Sequence, residues 1–228
     1  MGKLEKEQMK EYTRDAMEMK RDIHAVEKRR VIVLNAVGQR DVSRTEQVLT
    51  RRDPGPPIDR FPVILHTDRK SVSFRDLGYK ILTPDTAQFR DYEREVIGDL
   101  TIFTIHNQLK RLIHHGETVT FAHQTECDLD SPESDWVGVE TSGGPSLVSI
   151  DVWFPPDYEV SVCHAYLGTP PNPDRDEVVL PDPRAEKGKL PSETISREHI
   201  TWEKHSPEPD STYYVSWKAR RTTPTAQD

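Results

Sequence analysis

Four carboxylates lie within eight residues of the sequence, between two segments whose alternation is typical of strands. They are Asp128, Asp130, Glu133 and Asp135. Carboxylate oxygens are the ligands that hard cations such as Ca²⁺ prefer. However, the segment lacks the glycine that bends a tight calcium loop, and Pro132 lies in its middle. The sequence therefore leaves two alternatives, a cation site or a solvated acidic loop.

A second set of residues carries the side chains that zinc prefers. His123 and Cys127 fall on one predicted strand, and Cys163 and His164 fall on a later one. If these strands pair, imidazole and thiolate groups come close enough to bind Zn²⁺. Nothing in the sequence fixes that pairing. His123 also shares a face with Phe121, so a histidine buried in the core is the alternative interpretation.

The familiar catalytic signatures are missing from the sequence. It contains no glycine-rich phosphate loop, no His-Glu-x-x-His motif, no Cys-x-x-Cys pair and no Gly-x-Ser-x-Gly elbow. We therefore predict no catalytic residue and no bound cofactor. An enzyme whose active-site residues are scattered along the chain is the alternative that spacing does not reveal.

Composition limits the classes of partner and the cellular setting. The formal net charge of −8 argues against nucleic acid, because phosphates require clustered Lys and Arg and the basic runs here are short. No apolar run approaches the roughly 18 residues that a membrane-spanning helix needs. Two cysteines and a charged N-terminus without the apolar core of a signal peptide predict a cytoplasmic setting, in which both thiols stay reduced.

Two alternating segments separated by a proline corner predict the centre of the fold. They are 147–154 and 158–167, and apolar residues recur at every second position in both. Pro155-Pro156-Asp157 removes two backbone donors, so the chain must reverse or change sheets there. Trp153 falls on the face opposite the apolar residues of its segment. It is therefore either covered by a further layer or exposed as an anchor for a partner.

Eight strand candidates follow Gln88 at the short spacing that is typical of a sandwich. The segment 89–96 (FRDYEREV) has the charges of an edge strand, and 100–105 is apolar on both faces, as a central strand is. We predict a mainly β fold, an antiparallel Ig-like β-sandwich preceded by a long N-terminal α-helix. The predicted ranges are a helix at 1–30, a β-rich connecting region at 31–87, the sandwich at 88–220 and a frayed tail at 221–228.

The N-terminal helix is predicted from a heptad-like spacing of apolar residues. These residues step by three and four along the chain and are Met9, Tyr12, Ala16, Met19, Ile23 and Val26. A seam of this length is typical of a short coiled coil or of a helix that docks on the β domain. The predicted interface residues are Met9, Tyr12, Met19, Ile23 and Trp153.

The C-terminal half resembles a group of β-sandwich segments on two short motifs. These are Phe154-Pro155-Pro156 with Tyr158, and the closing run Tyr213-Tyr214-Val215-Ser216-Trp217. Over residues 88–220 the chain is similar to the C-terminal segments of uncharacterised bacterial proteins, especially from actinobacteria. In those proteins an FPP corner follows one strand and a Tyr-x-x-x-Trp strand closes the domain. The resemblance implies the fold and no catalytic residue.

Together these patterns predict a non-catalytic protein-interaction or scaffold module. The helix would self-associate into a homo-oligomer or dock, and the β-sandwich would bind a protein partner. The alternative from another class is a metal- or ligand-binding β-sandwich that uses the acidic 128–135 loop or the His/Cys strand pair.

Overall fold

The computed structural model describes residues 23–35, 40–51, 54–67, 72–98, 100–127, 134–141, 144–167 and 199–222. Within these ranges the protein is mainly β, and a 3₁₀ turn forms at Phe74–Leu77. The strands in chain order are β1 Ile23–Val33, β2 Asp41–Arg51, β3 Ile58–Thr67, β4 Lys80–Ile81, β5 Ala87–Ile97, β6 Leu100–Ile113, β7 Thr118–Cys127, β8 Ser134–Glu140, β9 Leu147–Trp153, β10 Tyr158–Leu167, β11 His199–His205 and β12 Thr212–Arg221.

The chain divides into two compact units, and each draws on separated stretches of sequence. The first unit comprises the described residues within Met1–Ala25 and Gln47–Thr125. The second comprises those within Val26–Glu46 and Glu126–Asp228. Strands β1 and β2 contribute residues to both units, whereas the predicted ranges 31–87 and 88–220 follow simple chain order.

The second unit is a β-sandwich built from two sheets around one apolar core. One sheet has the order β11-β9-β1-β2 and the other β10-β12-β8. Alternation explains the core, because Val148, Ile150 and Val152 of β9 are all fully buried on one face. The remaining buried core residues are Ile32, Leu34, Val137, Val139, Phe154, Tyr158, Ile200, Trp202, Tyr213, Val215, Trp217 and Ala219.

The first unit has its own apolar core. A sheet of order β3-β6-β5 forms one side of it, and the end of β2 continues with β7 and β4 in a second sheet. Strand β6 is central in its sheet, as its apolar sequence predicted. The buried core residues are Ile23, Ala25, Leu49, Phe61, Val63, Leu77, Ala87, Phe103, Ile105, Leu109, Ile113, Val119 and Phe121.

The prediction of a long N-terminal α-helix is wrong. Ile23–Val33, which includes residues 23–30 of the predicted helix, is strand β1. It pairs in parallel with β9, so Arg29 lies opposite Ser149. Charged residues hid the alternation in the sequence, because Lys28 and Arg30 are half-buried and donate hydrogen bonds to backbone carbonyls of β8. The described residues contain no α-helix, so the prediction of a coiled coil is wrong as well.

A second correction concerns strand direction, while the proline corner is confirmed. The predicted sandwich was antiparallel, but β1 and β9 pair in parallel. The long stretch of chain between these two strands permits such a pairing. At Pro155-Pro156-Asp157 the chain leaves the β9 sheet and enters the β10-β12-β8 sheet. The corner is a turn closed by a 2.9 Å hydrogen bond from the Tyr158 amide to the Pro155 carbonyl.

No helix in the described part of the chain is long and apolar enough to cross a membrane.

Candidate functional site: the edge strand β5

Strand β5 forms one edge of the three-stranded sheet in the first unit. Among the described strands it has a neighbour only on its β6 side. An edge of this kind presents a row of backbone N–H and C=O groups to which another strand can bind. Residues 88–94 are all exposed. The prediction that FRDYEREV forms a charged edge strand is confirmed.

Three large apolar side chains on β5 are exposed. Phe89 is 43% exposed, Tyr92 44% and Val96 43%. A register shift against β6 between Phe89 and Asp91 leaves Arg90 as the extra residue of a β-bulge. Because the bulge resets the alternation, Phe89 and Tyr92 lie on the same face although they are three residues apart. That face is the one on which β6 contributes Phe103 to the core.

An aromatic stack supports this exposed face. The Phe74 ring, held by the 3₁₀ turn, stacks on Tyr92 with centroids 4.2 Å apart and planes at 10°. The same ring stacks on Phe89 at 5.2 Å. The turn is fixed by a capping box, in which the Ser73 hydroxyl accepts from the Asp76 amide and the Asp76 carboxylate accepts from the Ser73 amide. The aromatic surface is therefore ordered by local structure before any partner binds.

A shallow groove of about 380 Å³ opens beside the start of β5. Its lining is mostly apolar and comprises Phe74, Tyr79, Ile81, Pro84, Ala87 and Phe89 together with the polar residues Gln88 and Lys110. Aromatic and aliphatic linings of this size accommodate one or two apolar side chains of a ligand. The groove and the exposed face of β5 share Phe74 and Phe89, so they form one continuous surface.

The phenol of Tyr79, a residue that lines the groove, makes a partly buried hydrogen bond. Its hydroxyl donates to Oδ1 of Asn107 at 2.9 Å, and Asn107 is fully buried. Burial raises the pKa of Tyr79 well above its ordinary value of 10.0, although the bond to Asn107 opposes that shift. The phenol is consequently locked in its neutral form and fixes Asn107 in one orientation.

This burial predicts a loss of stability at alkaline pH. The folded-state pKa of Tyr79 is raised, so its contribution is fully present below pH 10 and is lost as the pH rises further. The unfolded chain then releases a proton that the folded chain keeps. We expect the Tyr79→Phe variant to show a shallower decrease in unfolding free energy above pH 10, by at most about 1.4 kcal/mol per pH unit. Urea titrations on both sides of pH 10 measure this slope, and equal slopes for the two proteins would contradict the prediction.

The second unit contains a buried polar cluster centred on Asp151. The Asp151 side chain is buried, and its carboxylate accepts a 2.8 Å hydrogen bond from Nε of Arg29 at Oδ2. At Oδ1 it accepts from the Thr201 hydroxyl at 3.0 Å, and Nε2 of His199 lies 3.2 Å away. The ion pair with Asp151 raises the pKa of Arg29 further above its ordinary value. Three strands, β1, β9 and β11, are joined at this point.

The cluster does not have the geometry of a catalytic triad. In a triad the two ring nitrogens of the histidine have different partners, a carboxylate on one and the nucleophile on the other. Here Nε2 of His199 faces both the Asp151 carboxylate and the Thr201 hydroxyl, at 3.2 and 3.1 Å. The hydroxyl also donates to the carboxylate itself, so no nucleophile is activated. The hydrogen bonds of the cluster instead join neighbouring strands of the sheet.

Trp153 lies at the end of β9 beside this cluster. Its ring is 46% exposed and stacks on His199 with centroids 3.7 Å apart. Of the two alternatives that the sequence left open, the structure shows the exposed one. Its role in an interface stays a prediction. Ile23 is buried in the core of the first unit, and Met9, Tyr12 and Met19 lie outside the described residues.

Of the two predicted metal sites, most of the acidic loop lies outside the described residues and the His/Cys strand pair lies partly within them. Asp128, Asp130 and Glu133 lie outside the described residues, as does the side chain of Asp135, so the cation site stays a prediction. Adjacent strand residues point to opposite faces. Cys163 accordingly packs against the core of the second unit while His164 is exposed, and the two do not share a ligand position. Among the side chains that the structure describes, no three His, Cys, Asp or Glu residues could hold a metal ion.

Sequence reasoning found the edge strand but missed its apolar surface. The aromatic residues Phe89 and Tyr92 are separated by three positions, which is out of phase for a regular strand. A bulge at Arg90 places them on the same face, but no residue type at that position indicates a bulge in the sequence. Nothing in the sequence singles out Asp151, because its partners are 122 and 48 residues distant in the chain.

No known protein family matches the sequence, and no curated protein matches it significantly. Among solved structures, the chain is similar to an M1 zinc metallopeptidase mutant from Deinococcus radiodurans, at 13% identity and a TM-score of 0.41. The structure of the same mutant bound to a Tyr-Ser-Ala substrate matches at 12% identity and a TM-score of 0.41. The structure of a two-domain M1 zinc metallopeptidase mutant bound to L-tryptophan matches at 12% identity and a TM-score of 0.39. The matches cover 86% of this chain and 42 to 43% of those chains, so it spans less than half their length. At this level the likeness bears on neither fold nor function.

Proposed function

We propose that this protein is a non-catalytic module that binds a partner protein in the cytoplasm by accepting an extended segment beside β5. The observation that carries the proposal is an eleven-residue edge strand with three exposed apolar side chains. In this mode of recognition, backbone hydrogen bonds to the edge supply affinity, and pockets for alternate side chains supply specificity. The groove next to Phe89 offers such a pocket.

The exposed apolar residues distinguish β5 from an edge strand that is only protected. Edge strands are usually made safe by charges, bulges and short length, because they otherwise recruit other chains. β5 has the charges and the bulge, yet it is long and keeps Phe89, Tyr92 and Val96 at the surface. Aromatic residues that are rigid before binding are good anchors, since little side-chain entropy is lost on contact. The stack on Phe74 provides that rigidity.

The test is selection of peptides from a random displayed library on the purified protein. Recovered peptides are then measured against a variant that carries Phe89→Ser, Tyr92→Ser and Val96→Thr. We expect affinity to fall about tenfold or more, because each anchor contributes about 1 kcal/mol or more. The matched control is Leu112→Ser on β6, where a leucine of the same unit is 47% exposed.

The control decides what a loss of binding means. If the Leu112→Ser variant loses as much affinity as the β5 variant, general apolar adhesion explains the binding and the proposal fails. If no recovered peptide depends on the three β5 residues, the proposal fails as well. Circular dichroism of both variants confirms that the β fold is intact before binding is measured.

A further inference from the structure

The two faces of β5 differ in chemistry. Asp91, Glu93 and Glu95 alternate with Tyr92, Arg94 and Val96, so the carboxylates lie on the face opposite Phe103. The side chains of Asp91 and Glu93 are 59% and 68% exposed. Consecutive carboxylates on one face are spaced by roughly 7 Å along the strand, which is within one screening length at physiological salt. Their fields therefore add along this face.

The basic residues nearby do not cancel this negative field. Arg94 lies on the other face, with its guanidinium 5.9 Å from the centroid of the Phe103 ring. Arg90 at the bulge lies 3.6 Å from Asp91, and both partners are more than half exposed. Nε2 of His106 lies 3.3 Å from Glu93. Such contacts at the surface are weak, and Asp91 and Glu93 stay more than half exposed, so an incoming strand can replace these partners.

We infer that the segment bound beside β5 is an extended strand of another protein in which basic and apolar residues alternate. This inference rests on the proposed function. A strand added to the edge places successive side chains on opposite faces. Its residues on one face meet Asp91, Glu93 and Glu95, and those on the other face meet Phe89, Tyr92 and Val96. Opposite charges and apolar pairs across strands are each stabilising.

A second copy of β5 does not have this chemistry. When identical strands pair antiparallel about a two-fold axis, residues that lie opposite each other have side chains on the same face of the sheet. A carboxylate-face residue of one copy therefore lies opposite a carboxylate-face residue of the other. Centring the regular part of β5 on Glu93 places Glu93 opposite itself and Asp91 opposite Glu95. Centring it on Tyr92 places Asp91 opposite Glu93, and centring it on Arg94 places Glu93 opposite Glu95. Every such register sets carboxylates directly opposite each other, which is destabilising.

Protection against aggregation alone would also explain charges on an edge strand. It does not explain why all three carboxylates of the regular segment lie on one face while the apolar side chains occupy the other. In the regular segment Arg94 is the one charged residue on the apolar face, and its guanidinium lies 5.9 Å from the centroid of the Phe103 ring. The segregation of the two chemistries favours a partner with matching alternation.

The experiment uses three fluorescein-labelled nonapeptides and the full-length protein. In the first peptide Lys and Val alternate, and in the second Glu and Val alternate. The third has the composition of the first with Lys and Val grouped in blocks. We expect the alternating Lys–Val peptide to bind about tenfold tighter than either other peptide, since three cross-strand charge pairs act together. Fluorescence anisotropy measures each affinity, and raising the salt from about 0.05 M to about 0.5 M should weaken the binding.

Two protein variants with equal net charge sharpen the test. One carries Asp91→Asn, Glu93→Gln and Glu95→Gln, and we expect it to lose the preference for the Lys–Val peptide. The other neutralises three exposed carboxylates elsewhere, through Asp59→Asn, Asp85→Asn and Asp210→Asn. We expect that variant to keep the preference, so a loss in both would mean that net charge alone steers the peptide.

The peptide affinities separate the assigned partner chemistry from strand addition itself. If library peptides depend on Phe89, Tyr92 and Val96 but the Glu–Val peptide binds as tightly as the Lys–Val peptide, the assigned partner chemistry is wrong and strand addition stands. If the block peptide matches the alternating one, the alternation assigned to the partner is wrong and strand addition stands. If no peptide depends on β5, both fall.

Discussion

Replacement of Asp151 by alanine will lower the free energy of unfolding by about 2–3 kcal/mol. Hydrogen bonds to charged groups contribute about 1.5–3 kcal/mol each, and breaking a buried ion pair leaves its partner uncompensated. The carboxylate is buried, but the Arg29 side chain is 57% exposed and regains water when its partner is removed. The expected loss is therefore below the 3–5 kcal/mol or so of a pair buried on both sides.

A matched control within the same unit separates burial from pairing. Asp157 forms an ion pair with Nε of Arg221 at 2.9 Å, close to the 2.8 Å between Asp151 and Arg29. The two arginines are similarly exposed, at 67% and 57%, whereas the side chain of Asp157 is 40% exposed and that of Asp151 only 3%. We expect Asp157→Ala to cost less than about 1 kcal/mol, as exposed pairs do.

Tryptophan fluorescence during urea unfolding measures both variants. All four tryptophans, at positions 136, 153, 202 and 217, belong to the second unit, which also contains both ion pairs. Trp153 stacks on His199, so its emission also reports whether the cluster stays assembled. Equal costs for the two alanine variants would show that the Asp151 cluster does not join β1, β9 and β11 as the structure indicates.

The alternation of apolar and polar residues was sufficient to predict much of the second unit. β9, β10 and β12 were found because their apolar residues recur at every second position, and the corner because two prolines remove backbone donors. Each of these signals is local, since it depends on neighbouring residues alone. The edge character of β5 was predictable for the same reason.

β1 was predicted wrongly because its partners are distant. Its Lys28 and Arg30 occupy positions that face the β8 carbonyls, and charged residues at such positions break the expected apolar pattern. A parallel pairing also leaves no turn in the sequence, because β1 reaches β9 only after many intervening strands. The three- and four-residue spacing of Met19, Ile23 and Val26 is typical of a helix but can also arise by chance. Ile23 and Val26 belong to a strand because β1 pairs with distant strands.

The candidate site required information that only the folded chain contains. Phe74 lies in a 3₁₀ turn more than ten residues before Phe89 and Tyr92, yet its ring stacks on both. The two faces of β5 became distinct only when the register against β6 located the bulge at Arg90. A sequence pattern gives the strand, while the identity of each face depends on a backbone irregularity.

Replacement of Phe103 by alanine will have the largest effect on the first unit, with an expected loss of about 3–5 kcal/mol. The ring is fully buried on the central strand β6, so the substitution leaves a cavity beneath Tyr92 and Arg94. Leu112→Ala on the same strand is the control, because that side chain is 47% exposed and such surface changes usually stay within about 0.5 kcal/mol. Hydrogen exchange followed by mass spectrometry resolves the effect strand by strand.

The same substitution connects stability with binding. The Tyr92 ring contacts both the Phe74 ring at 4.2 Å and the Phe103 ring at 6.1 Å, and those two rings are 6.3 Å apart, so the core positions the exposed surface of β5. Loss of Phe103 should speed amide exchange in β5 and β6 and weaken peptide binding, whereas the milder Phe103→Leu keeps most of the packing and should keep binding. Retained affinity in a Phe103→Ala variant with rapidly exchanging β5 amides would contradict an ordered anchor surface. Binding would then depend on a segment that becomes ordered with its partner, and the stack on Phe74 would have no role in affinity.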